Sequence, residues 1–281
     1  MTGDRNDRQV RRFEGRRALI TGASRGIGAG IAERLAAEGA DVALVARTRS
    51  EHAQLDGSLE ETAARCEAHG ARTAIVVADI TKPDDRARLV AESVDGLGGS
   101  IDVLVNNAAA AIYQPMVDYP LKRRHLTFEA NVHAPLDLAQ AVIPSMIEAG
   151  EGWILNLSSG TARPWDGPPF EVGSLGTTIA VYGASKAALD RITNGLGAEL
   201  FGTGVRVNAV QPRAAVLSEG AAKLAGKKLR PDQVESIEQM VEGSVVLACC
   251  DADITGRSTV SLDNLVEFGL EVRGLDARPL G

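Results

Sequence analysis

Thr21-Gly22-Ala23-Ser24-Arg25-Gly26-Ile27-Gly28 is the stretch that decides the fold of this chain. A short apolar run, 18–21, leads into it, and Ile27, Ile31 and Leu35 recur after it at helical spacing. A strand that turns through glycines into an amphipathic helix is the opening of a βαβ unit. Glycines at 22, 26 and 28 let the backbone turn tightly and approach a pyrophosphate closely. The helix start then offers free N–H groups and the positive end of its dipole. A glycine cluster alone is compatible with an ordinary tight turn. In this position it predicts a dinucleotide cradle built from Gly22, Ser24, Arg25, Gly26, Ile27 and Gly28.

Working outward, further apolar, β-branched runs occur at 42–46, 74–78, 103–106, 154–157, 205–210 and 259–262. Several are continuously apolar, as expected of strands buried on both faces of a parallel sheet. Helical patterns lie between them; Leu189, Ile192, Leu196 and Leu200 share one helix face. The alternation predicts an α/β fold: a single doubly wound (Rossmann) domain over 15–281, with a parallel seven-stranded sheet and helices on both faces. Residues 1–14 are charged and read as a mobile N-terminal arm. Two stretches fit less well: a polar connector at 48–58 and an inserted Gly/Pro-rich loop at about 162–178 containing Trp165, Pro168, Pro169 and Phe170.

The 281 residues are 44% hydrophobic, enough for a sizeable core. A net charge of −7 and an aromatic content of 4% argue against nucleic-acid binding. No apolar run reaches the ~18 residues of a membrane span. The N-terminus has no apolar signal region, so a cytoplasmic protein is expected. Cys66, Cys249 and Cys250 form no disulfide or zinc pattern, and no metal site is expected.

The end of the second strand tests which dinucleotide is bound. An acidic residue ~20 positions past the glycines would take the ribose 2′-OH of NAD. Ala46-Arg47-Thr48 stands there instead. Arg47, helped by Arg25, suits a 2′-phosphate, so NADP(H) is favoured over NAD(H). Further on, Tyr182-Gly-Ala-Ser-Lys186 places a phenol and an ammonium one helical turn apart. A free phenol, with a pKa of ~10, is a poor base at neutral pH, and a neighbouring cation favours its ionised form. The pair can therefore move the proton when an alcohol and a carbonyl interconvert.

With these motifs in order, the chain resembles the short-chain dehydrogenase/reductase family over nearly all of residues 16–262. TGASRGIG resembles its cofactor motif and YGASK its catalytic motif. Asn106-Asn107-Ala108, Asp79-Ile80, Asn131, Ser158-Ser159 and the RVNAVQP run resemble further family segments. The resemblance implies Asn131, Ser159, Tyr182 and Lys186 as the catalytic set. Besides the glycine loop, it implies cofactor contacts from Arg47, Thr48, Asp79, Ile80, Asn107, Ala108, Tyr182, Lys186, Pro212 and Ala215. Ser159 would hydrogen-bond the substrate oxygen, and Asn131 would order a proton relay. A homodimer or homotetramer is implied too.

The chain departs from the family pattern at Ala109, where glycine is usual, and at Pro212-Arg213, where Pro-Gly is usual. Leu217 replaces a cofactor-contacting threonine, for which Ser218 could substitute. The long connector near Asp56-Gly57-Ser58-Leu59-Glu60-Glu61-Thr62 and the C-terminal stretch resemble citronellol-type and hydroxysteroid-dehydrogenase-like members, which implies a mostly apolar alcohol or carbonyl substrate. Two alternatives stand beside this reading. One is a 3-oxoacyl-thioester reductase, which would use a basic entrance such as Lys122, Arg123 and Arg124. The other is a cofactor-binding regulator without turnover.

Overall fold

In this computed structural model the described residues are 11–50, 57–173, 175–213, 215–216 and 234–280. Strands β1 (Arg17–Thr21), β2 (Asp41–Ala46), β3 (Thr73–Val77), β4 (Val103–Asn106), β5 (Gly152–Leu157) and β6 (Val205–Gln211) alternate with helices. The helices are α1 (Gly26–Ala37), α2 (Leu59–Glu67), α3 (Pro83–Leu97), α4 (Leu121–Phe128), α5 (Ala134–Ala149) and α6 (Ala180–Glu199). Two short strands follow, β7 (Ala215–Val216) and β8 (Val234–Glu235), then α7 (Ile237–Val245), β9 (Ser258–Val260) and α8 (Ser261–Glu267). The main sheet has seven strands in the order β3-β2-β1-β4-β5-β6-β9, every pair parallel. It is the doubly wound α/β fold expected.

Side chains alternate across the sheet into two cores. Ile20, Val42, Leu44, Val103 and Leu155 pack on the face covered by α1, α2 and α7. Leu19, Ala43, Val45, Leu104 and Ile154 pack with Leu89, Leu138 and Val142 on the other. Burial on both faces explains the unbroken apolar runs.

Helix starts differ in an informative way. Ser58 and Glu61 form a capping box on α2, and Ser236 and Gln239 form one on α7. Arg25, at the start of α1, makes no side-chain cap. The first N–H groups of α1 are thus left for another acceptor.

Two boundaries differ from the sequence reading. The strand expected at 259–262 ends at Val260, because Ser261 opens α8 and its hydroxyl is held by Glu235. The expected arm is docked at its inner end. Phe13 is 1% exposed, and the Phe13 N–H donates to the Glu38 carbonyl at 3.1 Å. Residues 1–10 lie outside the described residues, as do 51–56 of the polar connector. Ser58, read as connector, is the cap of α2.

The docked segment joins a buried ionic network. The Arg34 guanidinium donates to Glu38 at 2.7 Å, to Glu242 and to the Arg273 and Gly274 carbonyls; Arg12 donates to Glu38 at 2.5 and 2.6 Å. Arg34 and Glu38 are fully buried, and Glu242 nearly so. Two cations balance two carboxylates, and together they tie the N-terminal segment and the C-terminal stretch to α1 and α7. Removing one partner leaves an uncompensated buried charge. Glu242→Ala is therefore expected to destabilise the fold by about 3–5 kcal/mol, read as a lower urea midpoint. An unchanged midpoint would show that the network contributes little.

Candidate active site

The glycine loop is fastened to the β4 loop by Asn107. Its Nδ2 donates to the carbonyls of Thr21 at 2.9 Å and Gly22 at 3.2 Å, and the N–H groups of Asn107 and Ala108 both donate to Thr21 Oγ1 at 3.1 Å. Gly22 has a φ of +68°. A Cβ on Gly28 would stand 2.3 Å from Asn107 Nδ2 and 2.5 Å from the Gly22 carbonyl oxygen. Only glycine allows this packing at 28, and only glycine takes the backbone at 22 without strain.

Beside this junction lies a cavity of about 760 Å³. Gly22, Ser24, Arg25, Arg47, Thr48, Asp79, Ile80, Asn107 and Ala108 line it, as expected from the sequence. Val45, Thr81, Leu126 and Ala130 line it as well and had no motif to announce them. Gly26, Ile27 and Gly28 form the first turn of α1 behind the loop rather than the wall. The cavity's lining stops short of Ser159, Tyr182 and Lys186.

Those residues meet at the ends of β5 and α6. Ser159 Oγ accepts from the Thr161 N–H at 3.2 Å and from Thr161 Oγ1 at 2.9 Å. With both lone pairs engaged, its one proton is left to donate. Tyr182 is near enough for Ser159 to favour its ionised form. Lys186 is buried, donates to the Leu157 carbonyl at 2.6 Å and stands 5.9 Å from the centre of the Tyr182 ring. Burial lowers its ammonium pKa to about 8, and Asp190, one turn further along α6, pushes the other way.

Tyr182 responds differently from the simple expectation. Burial pushes its phenol well above the usual range, Tyr113 adds to the rise, and Ser159 opposes it. Desolvation of the charged form outweighs the help from Ser159. The phenol is therefore protonated at neutral pH in this site.

Asn131 lies in a π-helical turn, Glu129–His133, between α4 and α5. Such turns recur at functional sites. Its Nδ2 donates to Ser185 Oγ at 2.9 Å and to the Ala110 carbonyl at 3.1 Å, while Oδ1 accepts from the Ala110 N–H at 2.8 Å. The side chain fastens α6 to the loop after β4.

The two departures in sequence are accommodated. Neither Ala109 nor Arg213 takes a positive φ, so glycine is not required at either. Pro212 and Arg213 pass beside Gly160, whose added Cβ would stand 3.7 Å from the Arg213 carbonyl oxygen. Ala215 pairs with Val234 in the β7–β8 ladder. Leu217 and Ser218 lie outside the described residues.

The profile of the short chain dehydrogenase family matches residues 16–228. The chain belongs to that family. The short-chain dehydrogenase/reductases are NAD(P)-dependent oxidoreductases acting on CH–OH groups. Hydroxysteroid dehydrogenase-like protein 2 from Danio rerio is 29% identical over 259 residues, which are 90% of this chain and 58% of that protein. The chain thus spans little more than half the length of that relative. A short chain dehydrogenase from Mycobacterium thermoresistibile superposes with a TM-score of 0.79 at 30% identity, covering 92% of this chain and 89% of that one. A dehydrogenase from Beutenbergia cavernae with bound NADP superposes with a TM-score of 0.75 at 28% identity, covering 90% and 98%. No helix among the described residues is long and apolar enough to cross a membrane, and no cluster of metal-binding side chains occurs among them.

The close packing of Gly28 yields a test. Gly28→Ala pushes the glycine loop and Asn107 apart, so the rise in Tm that NADPH gives the wild type is expected to disappear. Thermal denaturation with and without NADPH reads this; an undiminished rise contradicts the assignment of the loop.

Proposed function

We propose that this chain is an NADP(H)-linked reductase of the carbonyl group of a mostly apolar small molecule. The observation that carries the reading is the convergence of Ser159, Tyr182 and Lys186 beside a cavity framed by the glycine loop. The residues present fit a dinucleotide: an uncapped helix start faces the loop, and the cavity extends from Asn107 and Ala108 to the ends of β2 and β3. When bound, the nicotinamide supplies the hydride.

The protein's own groups handle the oxygen and the proton. Tyr182, held protonated by burial, donates to the carbonyl oxygen as that oxygen gains charge. Ser159, with only a donor left, stabilises the same oxygen. Lys186 keeps two N–H donors beyond its bond to Leu157, suited to ribose hydroxyls. Asn131 holds α6 against the loop after β4. Gly22, Ser24 and Asn107 would hold the phosphates, and Asp79 and Ile80 the adenine.

Cofactor choice rests on Arg47. It is exposed, lines the cavity and forms no ion pair among the described residues. No carboxylate stands beside it on β2 to accept a ribose hydroxyl. A guanidinium in that position suits a 2′-phosphate.

Three outcomes are expected. Tyr182→Phe lowers carbonyl reduction by at least about a thousandfold, read as NADPH absorbance loss against a panel of ketones, aldehydes and acetoacetyl thioesters. Turnover that survives the substitution rules out the mechanism. Arg47→Ala lowers the NADPH-over-NADH preference in kcat/KM by about tenfold or more; an unchanged ratio removes Arg47 from cofactor choice.

The third outcome concerns pH. Tyr182 has a raised pKa, so its acid form persists at neutral pH while its base form appears only as pH rises. Reduction should hold through neutral pH and fall above about 8, where Lys186 loses its proton. Alcohol oxidation should climb with pH over the same range. Oxidation that does not rise would contradict the assignment of Tyr182.

A further inference from the structure

We infer that Tyr113 is a specificity-determining residue that binds a second oxygen on the substrate, close to the reacting carbon. This rests on the reading of Tyr182 as the proton donor. The Tyr113 and Tyr182 rings meet edge to face, with centroids 5.8 Å apart and an interplanar angle of 67°. A second phenol is thereby set beside the reacting one.

The loop that carries Tyr113 is pinned on both sides. Ala110 is held through its N–H and its carbonyl by Asn131. The Ile112 carbonyl accepts from the Tyr119 hydroxyl at 3.1 Å, and the Gln114 N–H donates to the Thr178 carbonyl at 2.9 Å. A backbone fastened at 110, 112 and 114 presents the side chain of 113 in a set direction. Yet the Tyr113 hydroxyl has no hydrogen-bond partner among the described residues, whereas the Tyr119 hydroxyl has two. The hydroxyl is not sealed in the interior, so this preorganised phenol beside the reacting group is open to a ligand oxygen.

The substrate class follows from the contact of the two rings. A phenol flanking Tyr182 is placed for an oxygen on a carbon near the reacting one. Hydroxy ketones, 1,2- and 1,3-dicarbonyls and 3-oxoacyl compounds meet this requirement; a simple ketone does not. The remaining body of the substrate stays apolar.

The experiment compares pairs of equal carbon count, such as 2-octanone and 2,3-octanedione, with the full chain and NADPH. The wild type should favour the dicarbonyl in kcat/KM, and Tyr113→Phe, which keeps the ring and removes the hydroxyl, should lower that preference ratio about tenfold. In parallel, calorimetric titration of 2-octanol and 2,3-octanediol into the complex with NADP+ should show the same loss of preference in Kd. An unchanged ratio in both measurements overturns the proposal, whatever happens to the absolute rates. If the wild type reduces no carbonyl, the proposed function fails. The Kd ratio then still decides the role of Tyr113, with equal wild-type affinity for both alcohols counting against it.

Discussion

Everything at the site is referred to the contact between Asn107 and the glycine loop. The doubly wound sheet reverses direction between β1 and β4, and the crevice outside their ends is where such folds bind ligands. In this chain that crevice is closed at its base by one side chain. Asn107 satisfies the Thr21 and Gly22 carbonyls, while the Thr21 hydroxyl accepts the N–H groups of residues 107 and 108. The strand ends cannot slide past each other without breaking this set. It also explains why position 28 must lack a Cβ, since Gly28 packs on both Asn107 and Gly22. The cradle and the strand register are one constraint.

The chemistry depends on where charge is placed relative to this base. Lys186 is buried and forms no salt bridge among the described residues. It is offset instead by the Leu157 carbonyl and, at longer range, by Asp190. A salt-bridged lysine would be locked as an ammonium. This one has its pKa brought down to about 8 by desolvation. Tyr182 is moved the opposite way by the same burial. Burial thus moves two groups one helical turn apart in opposite directions, the ammonium towards neutral pH and the phenol further into its acid form. That arrangement suits proton delivery to a carbonyl better than proton removal from an alcohol.

How far the sequence could be read depended on the range of the interactions. The glycine loop, α1 and the Tyr182–Lys186 pair are local patterns with fixed spacing, and they stand where their spacing indicated. Five of the strands were legible because burial on both faces writes continuous apolar runs; β3, at the sheet edge with Val77 exposed, was legible from its apolar, β-branched residues. The seventh was overrun at its end, since Ser261 leaves the sheet through a bond to Glu235, a residue 26 positions away. Phe13 was read as part of an arm because a single apolar residue among charges carries no periodicity; its burial depends on Glu38 and the network around Arg34. Tyr113 was invisible for the same reason. One aromatic in an irregular loop gains meaning only when the fold sets it against Tyr182.

The unusual Pro212-Arg213 segment shows how a missing motif glycine can be replaced by a distant contact. The Arg213 N–H donates to Glu235 Oε1 at 2.8 Å, and Glu235 also accepts the Ser261 hydroxyl. Arg213 pairs through its guanidinium with Asp263, but both side chains are more than half exposed. An exposed pair of that kind contributes only ~0–1 kcal/mol. The holding contact is therefore Glu235, which is 2% exposed and whose burial raises its carboxyl pKa against the pull of Ser261 and Arg213. Through it β7 and β8 are joined to the β9–α8 junction, and the backbone that passes Gly160 is held by the bond from the Arg213 N–H. Glycine at 213 would offer the same N–H to Glu235 but with more backbone freedom; arginine, with no positive φ to require glycine, narrows that freedom. The position of the chain beside Gly160 and Ser159 is thus fixed by a carboxylate that no local motif contains.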